Sequence, residues 1–311
     1  MTSTIPSPTD VGALANRINF ETRDFHNKVS AFMGIRLALA LKHGFIYREG
    51  LVVFYHIFNT IETEIDLVLN NQDDSQMKLI LSSFYLDEFR RKDKILKDLE
   101  LLYYPEFQND RPQLLEFINS DRFTNDSEQL QNFVKYIQTN ATEDPCTLLA
   151  YCHVLYLALF AGGKIMKSNV TKHLGIFPKF EHLSHKEIIA RGTNFYQFTD
   201  STNPETTDVK LRWLYKKNYE LSTRDELLEQ QKLTVIKTSK DVFVMLENCI
   251  AEVGTRNRNE LMNIFSYKLF TFIVEEWKYN SSISPFLKKS LMFILIIIQF
   301  TLASVLLNRY I

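Results

Sequence analysis

Apolar residues recur along this chain at intervals of three and four almost throughout, the spacing that gathers them on one face of an α-helix. Ile18, Thr22, Phe25, Val29 and Phe32 with Met33 form one such stripe, and Gly44 supplies a stop after it. Leu51, Phe54, Tyr55, Phe58, Ile61, Ile65 and Val68 form a second. Phe89, Leu96, Leu99 and Leu102 with Tyr103 mark a third, ending before Pro105, and Val134 with Ile137 a short fourth. Pro145 to Leu174 is a fifth. Beyond a break containing Gly175, Pro178 and Gly192, the pattern returns at Val209 to Leu221, Arg224 to Val253 and Arg258 to Lys278. Strand signals are scarce, the best being Asn194 to Thr199. The expectation is an all-α fold with one helical domain over residues 1–280.

The C-terminal pattern is different. Leu291 to Leu307 is apolar except for Gln299, Thr301 and Ser304, and about 17 helical residues at ~1.5 Å each just cross a thin bilayer core. Lys288 and Lys289 precede it, and residues 281–290 read as a hinge. This is the pattern of a C-terminal transmembrane helix: a tail anchor over 291–307 with the body facing the cytosol, a buried core helix being the alternative. A short tail suits the thinner endoplasmic reticulum membrane.

Charge and composition narrow the function. Basic and acidic residues number 36 and 37, so no overall field draws the chain to nucleic acid. Cys146, Cys152 and Cys249 show neither Cys-x-x-Cys nor Cys/His zinc spacing, which suits a reducing compartment. There is no glycine-rich nucleotide loop and no zinc-protease helix motif. Glu62 and Glu64 lie on different helix faces, a poor arrangement for paired-carboxylate catalysis.

Two local features invite chemistry. Ala158, Ala161, Gly162 and Gly163 place minimal side chains in a helix otherwise rich in Leu, Tyr and Phe, and each interior glycine costs about 1 kcal/mol relative to alanine. Either a flat cofactor or a neighbouring helix presses on that backbone. His26 sits on or beside the first apolar stripe, as a core residue or as an axial ligand to haem iron. Arg23 lies three residues before it. Arg212 and Lys216, four apart on one helix face, could meet two carboxylates at a pocket rim or form ordinary solvated surface.

With those residues in place, the chain resembles the haem oxygenases, most closely their fungal, tail-anchored branch, over about Asp10 to Lys278. Thr22 to His26 resembles the family's proximal helix, which implies that His26 is the iron ligand. Tyr55-His56-Ile57 resembles the second helix, implying a distal hydrogen-bonding role for Tyr55. Arg212 to Lys216 resembles the stretch whose basic residues hold the haem propionates. Ala150, Tyr156 and the Gly162-Gly163 pair match the distal segment, with Ala158 beside them. Leu159 stands where the family usually has an aspartate that organises distal water, and Ser30 replaces a glutamate bonded to the proximal imidazole. Tyr55, Tyr156, His153 or backbone groups would then hold that water.

The resemblance implies haem b as cofactor and substrate, molecular oxygen as co-substrate, and electrons from NADPH through a diflavin reductase partner. Biliverdin, carbon monoxide and ferrous iron would be the products. A membrane-tethered haem sensor or carrier without turnover is the alternative.

Overall fold

The computed structural model describes residues 10, 12–71, 75–199 and 204–265, with positions 267, 268, 271 and 290 beyond them. In chain order its helices are α1 (Leu14–Glu21), α2 (Arg23–Lys42), α3 (Gly44–Leu69), α4 (Gln76–Phe84), α5 (Lys92–Leu102), α6 (Tyr104–Phe107) and α7 (Arg111–Ile118). Then follow α8 (Glu128–Glu143), α9 (Leu148–Tyr151), α10 (Leu157–Lys172), α11 (His185–Arg191), α12 (Pro204–Arg224), α13 (Glu229–Arg256) and α14 (Arg258–Met262). Among the described residues there is no strand, so the all-α expectation holds. Residues 1–255 and 256–311 form separate units, and of the second only the start, including α14, is described. The expected hinge at 281–290 and the expected anchor at 291–307 lie outside the described residues, apart from Ser290.

The long helix α3 is the hub of the first unit. It buries Leu51, Val52, Phe58, Ile61 and Ile65, and α2, α4, α5 and α8 pack around it. A helix apolar around most of its circumference has no solvent face to keep, which is why its stripe was broad in the sequence. Pro145–Lys172 is also long and apolar enough to cross a membrane, but 72% of its most apolar window is buried, marking a core helix.

Several boundaries differ from the expected ones for local reasons. The first stripe breaks at Thr22, whose hydroxyl bonds back to the Ile18 carbonyl at 2.8 Å and bends the chain between α1 and α2. α2 ends at Lys42, just before Gly44 as expected, and Gly44 itself opens α3, where a Cβ would lie 3.1 Å from the backbone of Ile176. Asn194 to Thr199 is no strand, because Asn194–Tyr196 forms a 3₁₀ turn held by α5. Asp98 accepts from the Asn194 and Phe195 amides at 2.7 and 2.9 Å, Lys94 donates to the Gln197 carbonyl, and buried Arg91 donates to the Phe195 and Gln197 carbonyls. The fifth stripe carries a π-helical turn at Cys152–Tyr156. Such turns leave carbonyls poorly paired, and two tyrosines of α12 take them: Tyr215 donates to Cys152 at 2.8 Å and Tyr219 to Leu149 at 3.1 Å.

Candidate functional site

α2 and α10 line a common cavity of about 480 Å³, closed further by α3, α13 and the 3₁₀ turn at Asn194–Tyr196. That volume lies within the roughly 300–1,000 Å³ of ligand sites. His26, Val29, Ser30 and Met33 come from α2, and Ala158, Leu159, Ala161, Gly162 and Gly163 from α10. The bare stretch and the histidine therefore belong to one site. His26, Ala158 and Ala161 line the cavity and are solvent-exposed, so the space is open to solvent.

The two readings of the small residues can now be separated. A Cβ built at Gly162 or Gly163 meets no heavy atom within 4 Å, and the same holds for Gly50 on α3. Tight helix packing would put a neighbour there. These glycines instead front open space, a cradle that added side chains would fill. Haem fits the donor set as well. Among the described residues no cluster of three His, Cys, Asp or Glu side chains could hold a bare metal ion. A single imidazole suffices where the metal arrives with its own ligands, as the iron of haem does.

The wall is apolar. Among its described residues there is no charged side chain, and its polar groups are His26, Ser30, Tyr47 and Tyr196. The face of α3 that contributes runs through Tyr47, Gly50, Leu51, Phe54 and Phe58, at helical spacing. α13 contributes Phe243, Leu246 and Ile250.

Four of the expected site residues, His26, Ala158, Gly162 and Gly163, meet in this wall; the other four do not. Tyr55 stands apart from the wall. It lies about a quarter-turn of helix away from Phe54, is buried outside the cavity wall, and experiences the charges of Asp93 and Arg111 while burial raises its pKa. Phe54 and Phe58 of the same helix line the wall. Tyr156 and His153 also stand outside. The Tyr156 hydroxyl meets that of Tyr85 at 3.0 Å and lies 3.5 Å from buried Glu62, whose pKa is raised by burial. His153 pairs through Nε2 with Asn19 at 2.9 Å, and burial, helped by Lys216, pushes its pKa down to about 3.

The basic residues lie outside the wall too. Arg23 is exposed, with Asp24 at 3.8 Å. Arg212 reaches toward the carbonyl of Phe160 on α10 at 3.5 Å, and Lys216 sits one turn on. Burial, then the charge of Arg212, lowers the Lys216 pKa. Neither has a carboxylate partner among the described residues, which leaves two neighbouring cations beside the helix that lines the cavity.

Tyr47, Gly50, Tyr196 and Phe243 were not anticipated as wall residues. Gly50 carried a readable signal, since it is an interior helix glycine of the same kind as Gly162. Tyr196 carried none, because its position depends on a turn fixed by α5.

Known proteins match this geometry and sequence. The "Heme oxygenase" family model matches residues 12–252. The yeast Saccharomyces cerevisiae has a relative, "Heme-binding protein HMX1", 51% identical over 279 residues, covering 89% of this chain and 86% of its own. The "Heme oxygenase" of Porphyra purpurea is 26% identical over 215 residues, covering 67% and 72%. Among solved structures, heme oxygenase-2 of Synechocystis in complex with heme and NO superimposes with a TM-score of 0.60 at 20% identity, covering 79% of this chain and 88% of that one. On the extent of the family match and the 51% identity of the yeast relative, the chain belongs to the haem oxygenase family.

Proposed function

We propose that this chain is a haem oxygenase that opens the haem ring to biliverdin with release of carbon monoxide and ferrous iron. The observation that carries the reading is the cavity between His26 on α2 and the bare backbone at Gly162 and Gly163 on α10. Haem, when bound, supplies both the iron that activates dioxygen and the ring that is opened.

The chain's own residues have separable tasks. The imidazole of His26, with no hydrogen-bond partner among the described residues, is free to hold the iron. Ala158, Gly162 and Gly163 let main chain approach where a side chain would obstruct. Arg212 and Lys216, with Arg23, offer positive charge to the two propionates, which otherwise find only an apolar wall. Phe54, Phe58 and Phe243 keep bulk water from the reacting space. Electrons come from an NADPH-dependent diflavin reductase, and the segment 291–307 tethers the protein to the endoplasmic reticulum with this domain in the cytosol.

Haem binding without turnover is a second reading, favoured by Leu159 in the wall and the lack of any carboxylate there among the described residues. One experiment separates them. Purified protein with haemin, NADPH and a diflavin reductase should lose its Soret band in air and yield biliverdin and carbon monoxide. A histidine-ligated spectrum that persists under those conditions overturns catalysis and leaves binding.

A further inference from the structure

Tyr47 and Tyr196 put a pair of hydroxyls into a wall that is otherwise nearly all hydrocarbon. Tyr47 lies on the first turn of α3, and Tyr196 ends the 3₁₀ turn that packs on α10. Both are over nine-tenths buried, at 5% and 7% exposure, and their hydroxyl oxygens are 3.3 Å apart. Burial raises both phenol pKa values, so both carry their protons at neutral pH.

Two hydroxyls bring two protons, and the bond between them uses one. The second has no acceptor among the described residues. Leaving a buried hydroxyl proton unpaired costs about 1–3 kcal/mol, so a spare proton in a cavity wall calls for an acceptor inside the cavity. The pair is also held in place before any ligand enters. Asp98 on α5 caps the turn carrying Tyr196, and Arg91 at the N-cap of α5 and Lys94 on its first turn hold the carbonyls around it. A donor fixed in advance by its surroundings is the arrangement that orients a ligand.

We propose that the Tyr47–Tyr196 pair is the hydrogen-bond donor of this cavity, giving its spare proton, directly or through one water, to a small diatomic ligand on the α10 side of the bound tetrapyrrole. The proposal rests on the haem reading above. It supplies a polar group where Leu159 supplies none and where Tyr55, Tyr156 and His153 all face elsewhere. These are positioning residues, acting on the ligand's orientation.

The test uses the full chain in detergent, with Tyr47→Phe, Tyr196→Phe and the double variant. Each is titrated with haemin by absorbance, then reduced and exposed to carbon monoxide, and the C–O stretch is read by infrared spectroscopy in light and heavy water. Expected are similar Soret bands throughout, a stretch that rises in the variants as the donated bond is lost, and a heavy-water shift in the parent that the double variant lacks. An unchanged stretch in variants that bind haemin overturns the pair's role and leaves the haem reading standing. Should the variants fail to fold, a parent stretch insensitive to heavy water overturns the role by itself. Absence of any Soret band in the parent overturns the haem reading itself, and with it this proposal.

Discussion

The imidazole of His26 meets the ring of Phe243 edge-on, with centroids 6.0 Å apart and planes at 85°. Helix α13 thus orients a histidine of α2 through its ring face and edge, without occupying either nitrogen. An edge-to-face pair adds about 0.5–1.5 kcal/mol beyond area burial, enough to bias a ring otherwise exposed in an open cavity.

His26→Ala should therefore separate folding from binding. Because the His26 side chain is exposed and makes no hydrogen bond among the described residues, the haem-free variant should lose no more than about 0.5–1.5 kcal/mol, the contribution of the contact with Phe243. Its haemin spectrum should change, and added imidazole should restore the parent spectrum. A spectrum unaffected by the substitution would remove His26 from the iron.

Gly162→Ala should move stability and binding in opposite directions. With no atom within 4 Å of the new Cβ, the haem-free helix gains up to about 1 kcal/mol from alanine's propensity. The same methyl intrudes on the ring's space, so haemin affinity should fall, and Gly162→Leu should lower it at least tenfold. Thermal melts and absorbance titration read the two effects; a leucine variant that binds haemin as the parent does would mean the ring lies elsewhere.

Much of this site could be read from residue order because its two main walls are single helices. His26 and Gly162 each announce themselves by breaking a local pattern, an imidazole at the edge of an apolar stripe and glycine where a helix wants alanine. Sequence could not place Tyr55 relative to the cavity because the second stripe has apolar and aromatic residues on several faces, and periodicity cannot say which face of a largely buried helix meets the cavity. The turn at Asn194–Tyr196 was illegible for another reason. Its shape is imposed by Arg91, Lys94 and Asp98, about a hundred residues earlier, so local propensity favoured a strand that the long-range bonds exclude.

Those bonds make Asp98→Ala a strong substitution. Asp98 is fully buried and accepts from two backbone amides and the Asn194 side chain. Removing it strands these donors, at a loss of about 2–4 kcal/mol. Since the freed turn carries Phe195 and Tyr196, haemin should also bind more weakly at temperatures where the variant is still folded. Chemical denaturation and haemin titration check both; an unweakened variant would show that the turn stands without its cap.

His153 should give the fold an acid-sensitive limb. Its pKa is pushed down to about 3, first by burial and then by the charge of Lys216, whereas the unfolded chain holds histidine near its ordinary value of about 6.5. Above pH 6.5 both states are neutral at this site and the contribution is fully present. As the pH falls from 6.5 toward 3 the unfolded state takes up a proton that the folded state refuses, and stability drops by up to about 1.4 kcal/mol per pH unit from this group. Burial raises the pKa of Glu62, Glu64, Glu220 and Asp98, which act in the opposite sense over part of that range, so the total slope is not diagnostic. The difference between the parent and His153→Gln is diagnostic, because glutamine does not titrate and can still donate to Asn19. Denaturant midpoints measured from pH 8 to pH 4 should diverge below pH 6.5, with the variant losing less. Parallel curves would mean that His153 takes up its proton in the folded state as readily as in the unfolded one.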